Sequence, residues 1–260
     1  MIVKFADKAD ADRLRDTMGI RFDRRDLNEI VDSALKTVNS QKLYVTCNLN
    51  HLRVLQSDGD FRQAYGKASV ITMDSRPMQM VSRIRYGEQL PLVTGADLFA
   101  VLMERLVPGR ERPFFVASST NTGERLVRKL VDRGFAAEDI GVISPPFGFE
   151  KDGVYSQSLL STIREHRPTH LFMGVGAPKS ERWVARHLPE LPPAHIFCVG
   201  AALDFTAGLK NRAPAWLGQI GMEWLHRLLS EPGRLLPRYA GDAYFLACLL
   251  GGKKLATVSK

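Results

Sequence analysis

Asp74 follows the apolar run of residues 69–73 directly, in Met-Asp-Ser-Arg-Pro. Such a run reads as a buried strand, and a carboxylate at its carboxyl end sits where a doubly wound fold places its reacting groups. The same side chain can instead cap the helix expected from about Pro77, and position alone leans toward the cap. Thr46 and Asn48 flank Cys47 at the end of the preceding apolar run. Their short polar side chains suit a sugar hydroxyl, or an Asx-type turn or cap. Gly-Val-Gly-Ala-Pro-Lys-Ser-Glu-Arg-Trp, residues 174–183, carries two glycines after a strand and then a helix opening near Pro178. Free N–H groups at a helix start bind phosphate, and Lys179 adds a positive charge. The third glycine of a dinucleotide fingerprint is missing, which makes this a generic phosphate loop at most. Val-Gly-Ala-Ala-Leu-Asp, residues 199–204, is similar in kind, with Asp204 a ligand group or a cap.

Two Asp-x-Asp pairs, Asp10/Asp12 and Asp58/Asp60, have the form that some sugar transferases use to hold a divalent metal. Neither stands at a strand end, so the first reads as part of a polar segment and the second as a turn between helices. There is no Walker loop, no G-x-S-x-G elbow and no histidine cluster in the sequence, and neither a cofactor nor a metal is expected.

The elements that must position these groups alternate. β-type runs fall at 43–48, 69–73, 114–118, 140–144, 170–175 and 195–200, with helical spacing at 27–38, 50–66, 77–87, 95–107, 121–134, 154–166 and 179–188. Six apolar strands separated by helices predict an α/β protein. Its expected form is a doubly wound, Rossmann-like, mostly parallel six-stranded sheet whose strand-end loops hold the ligand. Three segments are expected: a polar lead-in over 1–24, an α/β domain over 25–205, and a helical appendage over 206–260.

That last segment is basic and amphipathic. After Phe205 eight Lys and Arg face three acidic residues, which supplies five of the chain's net charge of +8. Such charge beside Leu and Trp points to an anionic partner in an apolar setting; charge alone leaves nucleic acid and a membrane surface both open. The basic residues interleave with aliphatic ones and not with aromatic platforms, which favours the membrane. Cys47, Cys198 and Cys248 read as reduced core thiols of a cytosolic protein. The charged start does not read as a signal peptide, and no apolar window reaches the ~18 residues of a span.

Taken in order, TCNLNHL, SVITMDSRP, LVTGADLF, MGVGAPKSERW and the run VGAALDFTAGLKNRAPAWLGQIGMEWLHRLLSEPGRLLPRY resemble the WecG/TagA/CpsF family of bacterial glycosyltransferases. The resemblance covers about residues 25–240 and is most specific from Val199 to Tyr239. It implies inverting, metal-independent transfer of a sugar from a UDP donor to an undecaprenyl-diphosphate-linked sugar, in teichoic acid, common-antigen or exopolysaccharide synthesis. It implies a cytoplasmic enzyme on the inner membrane face, with no nucleic acid partner, and it allows a homo-oligomer. Carried over, Asp74 is the general base, and Thr46 and Asn48 line the pocket. Lys179 and Asp204 join the substrate-binding set, and the tail residues Arg212, Arg227, Arg234 and Arg238 meet the donor diphosphate. Arg238 lies one place beyond the family's third arginine. The chain departs from the family at Ser75 (usually Gly), Leu92 (commonly Arg) and Ser180 (typically Gln). The last two make a hexose donor such as UDP-glucose as plausible as UDP-N-acetylmannosamine.

Overall fold

The computed structural model describes residues 18–211, 228–229, 232–252, 255 and 258. All six expected strands form: β1 (Lys42–Cys47), β2 (Val70–Met73), β3 (Pro113–Val116), β4 (Gly141–Ile143), β5 (His170–Met173) and β6 (His195–Cys198). They build one sheet in the order β2-β1-β6-β5-β3-β4, with every pairing parallel.

The helices are α1 (Leu27–Ala34), α2 (Leu49–Val54), α3 (Gly59–Gly66), α4 (Arg76–Tyr86), α5 (Gly95–Arg105) and α6 (Thr120–Val131), then α7 (Gly153–His166), α8 (Lys179–His187), α9 (Ala202–Thr206) and α10 (Pro232–Leu250). The helical stretch expected over 50–66 divides into α2 and α3, because Asp58 takes the N–H of Phe61 and starts a new helix. Asp58 also pairs with Arg182, and Asp60 lies in the first turn of α3. Asp10 and Asp12 lie outside the described residues.

Alternation along the strands divides the core between two faces, as a doubly wound sheet requires. Leu43, Val45 and Cys47 of β1 pack with α2, α3, α4, α7 and α8. Tyr44, on the other face, packs with α1, α5, α6 and α9. Residues 18–24 belong to the segment read as a lead-in, yet Met18, Ile20 and Phe22 are buried in the first core and the Asp23 N–H donates to Ile71 O. Residues 1–17 lie outside the description.

Helix α10 docks on α2 and α4. Arg53 Nε donates to Asp242 Oδ1 at 2.9 Å and Arg85 Nη1 to Leu249 O at 2.6 Å. Phe245, Leu249, Leu255 and Val258 complete the first core cluster. The helix continues through Pro237.

Candidate active site

The carboxyl ends of β1, β2 and β6 converge on the start of α5. Thr94 caps that helix by accepting the Asp97 N–H at 3.1 Å, and Gly95 is its first residue. A Cβ at Gly95 would stand 3.1 Å from Thr46 Oγ1 and 3.3 Å from Val199 O, so only glycine lets the helix start approach both strand ends this closely. The Gly95 N–H donates to Asp74 Oδ2 at 3.3 Å, and the Asp74 N–H donates to Cys47 O at 2.8 Å. Asp74 therefore does not cap the helix that follows it. Ser75 does, taking the Met78 N–H, and α4 begins at Arg76. The departure from glycine at Ser75 thus has a local reason. Asp74 instead sits half-buried at the positive end of α5, where a helix terminus favours a carboxylate.

Thr46 is 4% exposed, and its hydroxyl makes no hydrogen bond among the described residues. Asn48 adopts the capping alternative: Oδ1 accepts the His51 N–H at 3.1 Å and starts α2. Cys47, between them, turns to the opposite core face, where burial pushes its thiol up to about 12. His51 is held neutral, burial pushing it down to about 3 with Arg238 nearby acting in the same direction. Its Nδ1 meets Tyr65 Oη at 2.8 Å.

The loops after β5 and β6 touch. Gly176 and Gly200 both take left-handed backbone (φ 83° and 54°), and a Cβ on Gly200 would lie 3.9 Å from the Gly176 Cα. In the first turn of α8 the N–H groups of Ser180 and Arg182 are spent on Gly176 O and Pro178 O. Few free amides remain there for a phosphate. Lys179 directs its ammonium over the ring of Phe147, 5.0 Å from the centroid, on the loop leaving edge strand β4. It stands at the rim, away from Asp74 on the opposite edge strand.

Asp204 is buried in α9, and its Oδ1 accepts from Ser118 Oγ at 2.6 Å and Thr122 Oγ1 at 2.8 Å. Lys210 Nζ stands 3.6 Å from the other oxygen. The carboxylate expected as a ligand group or helix cap is a brace between α9 and the β3–α6 loop. Of the tail arginines, Arg212 and Arg227 lie outside the described residues, and Arg234 is described only as a backbone position in α10. Arg238 faces Asp242 Oδ2 at 3.7 Å and influences His51, which places it over α2 near the end of β1.

The sequence reading missed Gly95, Ser75 and Glu181. The first two carried a signal, Thr-Gly-Ala-Asp and Asp-Ser-Arg-Pro being helix starts with a small residue. Glu181 carried a fainter one, an acid in register with inward-facing Val184.

An N-acetylglucosaminyldiphosphoundecaprenol N-acetyl-beta-D-mannosaminyltransferase of Staphylococcus aureus (strain MRSA252) is 22% identical over 85% of this chain and 86% of its own length. A Bacillus spizizenii protein of the same name is 25% identical over 67% and 65%, and one from Bacillus subtilis (strain 168) is 20% identical over 82% and 80%. The profile of the glycosyl transferase WecG/TagA/CpsF family matches residues 15–258, and the chain belongs to that family of glycosyltransferases.

Proposed function

We infer that the chain transfers a hexose or N-acetylhexosamine, with inversion and without a metal, from a UDP-sugar to an undecaprenyl-diphosphate-linked sugar in cell-surface polysaccharide synthesis. The observation that carries this reading is Asp74 at a strand end, oriented by the Gly95 N–H beside the unpartnered Thr46 hydroxyl. In the reaction the acceptor hydroxyl gives its proton to the Asp74 carboxylate as its oxygen bonds to the donor's C1. The bond from C1 to the diphosphate breaks on the opposite side, and UDP leaves with the electron pair. Thr46 and the Asn48 amide nitrogen bind sugar hydroxyls. Arg212, Arg227, Arg234 and Arg238 neutralise the charge on the departing diphosphate, with Lys179 at the rim.

The names of the Staphylococcus and Bacillus relatives support a GlcNAc-diphosphoundecaprenol acceptor. Among the described residues no helix is long and apolar enough to cross a membrane. Exposed Leu229, Leu236 and Tyr244 on the basic tail suit contact with the anionic inner membrane surface, where the lipid acceptor resides.

Leu92 favours UDP-glucose as a second donor reading. It bridges to Met73 next to Asp74 and packs on the first core cluster, so an apolar side chain stands in the sequence position where the family commonly has Arg. The test is a panel of UDP-glucose, UDP-N-acetylglucosamine and UDP-N-acetylmannosamine against a short-chain GlcNAc-diphosphate lipid in EDTA, with the product anomer read by NMR. One donor is expected to react with inversion. Failure with every donor, or a retained configuration, overturns the reading.

A further inference from the structure

Glu181 is the third residue of α8 and only 2% exposed. Its Oε2 has no hydrogen-bond partner among the described residues, and its polar support is its own backbone N–H. It lies on the core face opposite Asp74, immediately behind the strand ends. Its ionisation is felt by Cys47 at the end of β1, Cys198 at the end of β6 and Tyr65 on α3, the elements packed around it. Each of those groups is neutral at neutral pH, since burial raises the two thiols and the phenol and lowers His51 behind Tyr65. The charged groups of its own helix are engaged elsewhere: Lys179 over Phe147, Arg182 with Asp58, Arg186 with Glu150 O and His187 with Glu190, while Lys67 at the end of α3 donates to Ala185 O. Asp74, across Cys47, is the other acid acting on the same thiol. A carboxylate with no ion-pair partner among the described residues is costly in such a place, and protonation is the cheaper state. Burial pushes Glu181 up to about 7.

We propose that Glu181 is a positioning residue of the donor site: its neutral carboxyl forms the floor behind Cys47 and Cys198, and its ionisation expels the anionic donor. This rests on the UDP-sugar reading above. A negative charge in that floor repels the diphosphate held at the same strand ends and obliges the β1 and β6 ends to shift as the carboxylate seeks water. It leaves the proton-accepting step at Asp74 untouched once substrate is bound.

The experiment measures the Kd of UDP-N-acetylmannosamine and UDP-glucose by calorimetry from pH 6 to 8.5, with KM and kcat for the donor that reacts, for wild type and E181Q. If only the protonated form binds, wild-type Kd and KM weaken about tenfold by one pH unit above the carboxyl's midpoint, because the competent fraction falls by that factor. E181Q is expected to hold the low-pH Kd across the range, with kcat close to wild type. The wild-type Tm should fall as pH rises from the ordinary glutamate value toward 7, since the unfolded chain ionises first, and E181Q should lack that slope. E181M repeats the test if E181Q does not fold. A wild-type Kd without pH dependence, or an E181Q profile that keeps the wild-type rise, overturns this proposal alone. A wild-type chain that binds no UDP-sugar at any pH overturns the donor reading and this proposal with it.

Discussion

Replacing Asp74 by Asn separates two roles that the structure allows for one carboxylate. The side chain lies at the amino end of α5, with Oδ2 3.3 Å from the Gly95 N–H. A carboxylate at that position stabilises a helix by about 0.3–1 kcal/mol. Asn keeps the shape and an oxygen that accepts the same N–H, so only the charge term is lost. For a chain of this size that lowers Tm by no more than about 4 °C. Loss of a general base costs far more, about a hundred- to ten-thousand-fold in rate, or roughly 3–5 kcal/mol of barrier. Circular dichroism melts and initial rates with saturating donor and lipid acceptor read the two quantities on the same preparation. The expected pattern is a small Tm change, a UDP-sugar Kd near wild type, and kcat reduced at least a hundredfold. A D74N enzyme with more than a tenth of the wild-type rate would show that Asp74 serves only the helix.

Gly95→Ala puts a methyl 3.1 Å from Thr46 Oγ1 and 3.3 Å from Val199 O, so α5 must retreat a few tenths of an ångström from both strand ends. It should cost about 1–3 kcal/mol in urea unfolding and lower kcat through the displaced Asp74 hydrogen bond; unchanged stability and rate would refute the close fit. Asp204→Ala strips the buried Thr122 hydroxyl and the exposed Ser118 hydroxyl of their shared acceptor. The expected loss is about 1–3 kcal/mol of stability, seen as a lower denaturant midpoint, with donor Kd preserved in the folded fraction. A D204A chain of normal stability that no longer binds donor would restore Asp204 as a ligand group.

Removing the chain from residue 212 onward would do more than delete the proposed membrane contact. Phe245, Leu249, Leu255 and Val258 lie in the same apolar cluster as β1 and α2. The tail's packing thus joins the α/β core, a relation that no break in hydrophobic pattern near residue 206 could reveal.

Much was legible in the chain itself because it depends on local period and composition. The six apolar runs ending at Asn48, Met73, Ser118, Ser144, Val175 and Gly200 could only be covered strands, and the helical spacing between them made the sheet parallel. Asp74 and Thr46 stood out because strand ends are where such folds gather ligands. The choice between cap and ligand was not legible, since Ser75, Asn48, Asp58 and Asp204 all have the side chains that serve either purpose. Distance shows the contacts made: Ser75 reaches Met78, Asn48 reaches His51, and Asp204 reaches Ser118 in the loop after β3 and Thr122 on α6.

Sequence by itself determined the strand count and the class of fold, because burial alternates with a fixed period. Tertiary structure alone decided which strand ends meet. Gly95 admits Asp74 and Thr46 to one point only because β1, β2 and β6, far apart in the chain, end side by side. Glu181 became a buried acid for the same reason: the groups its charge acts on come from α3, β1 and β6, and no local pattern records their approach.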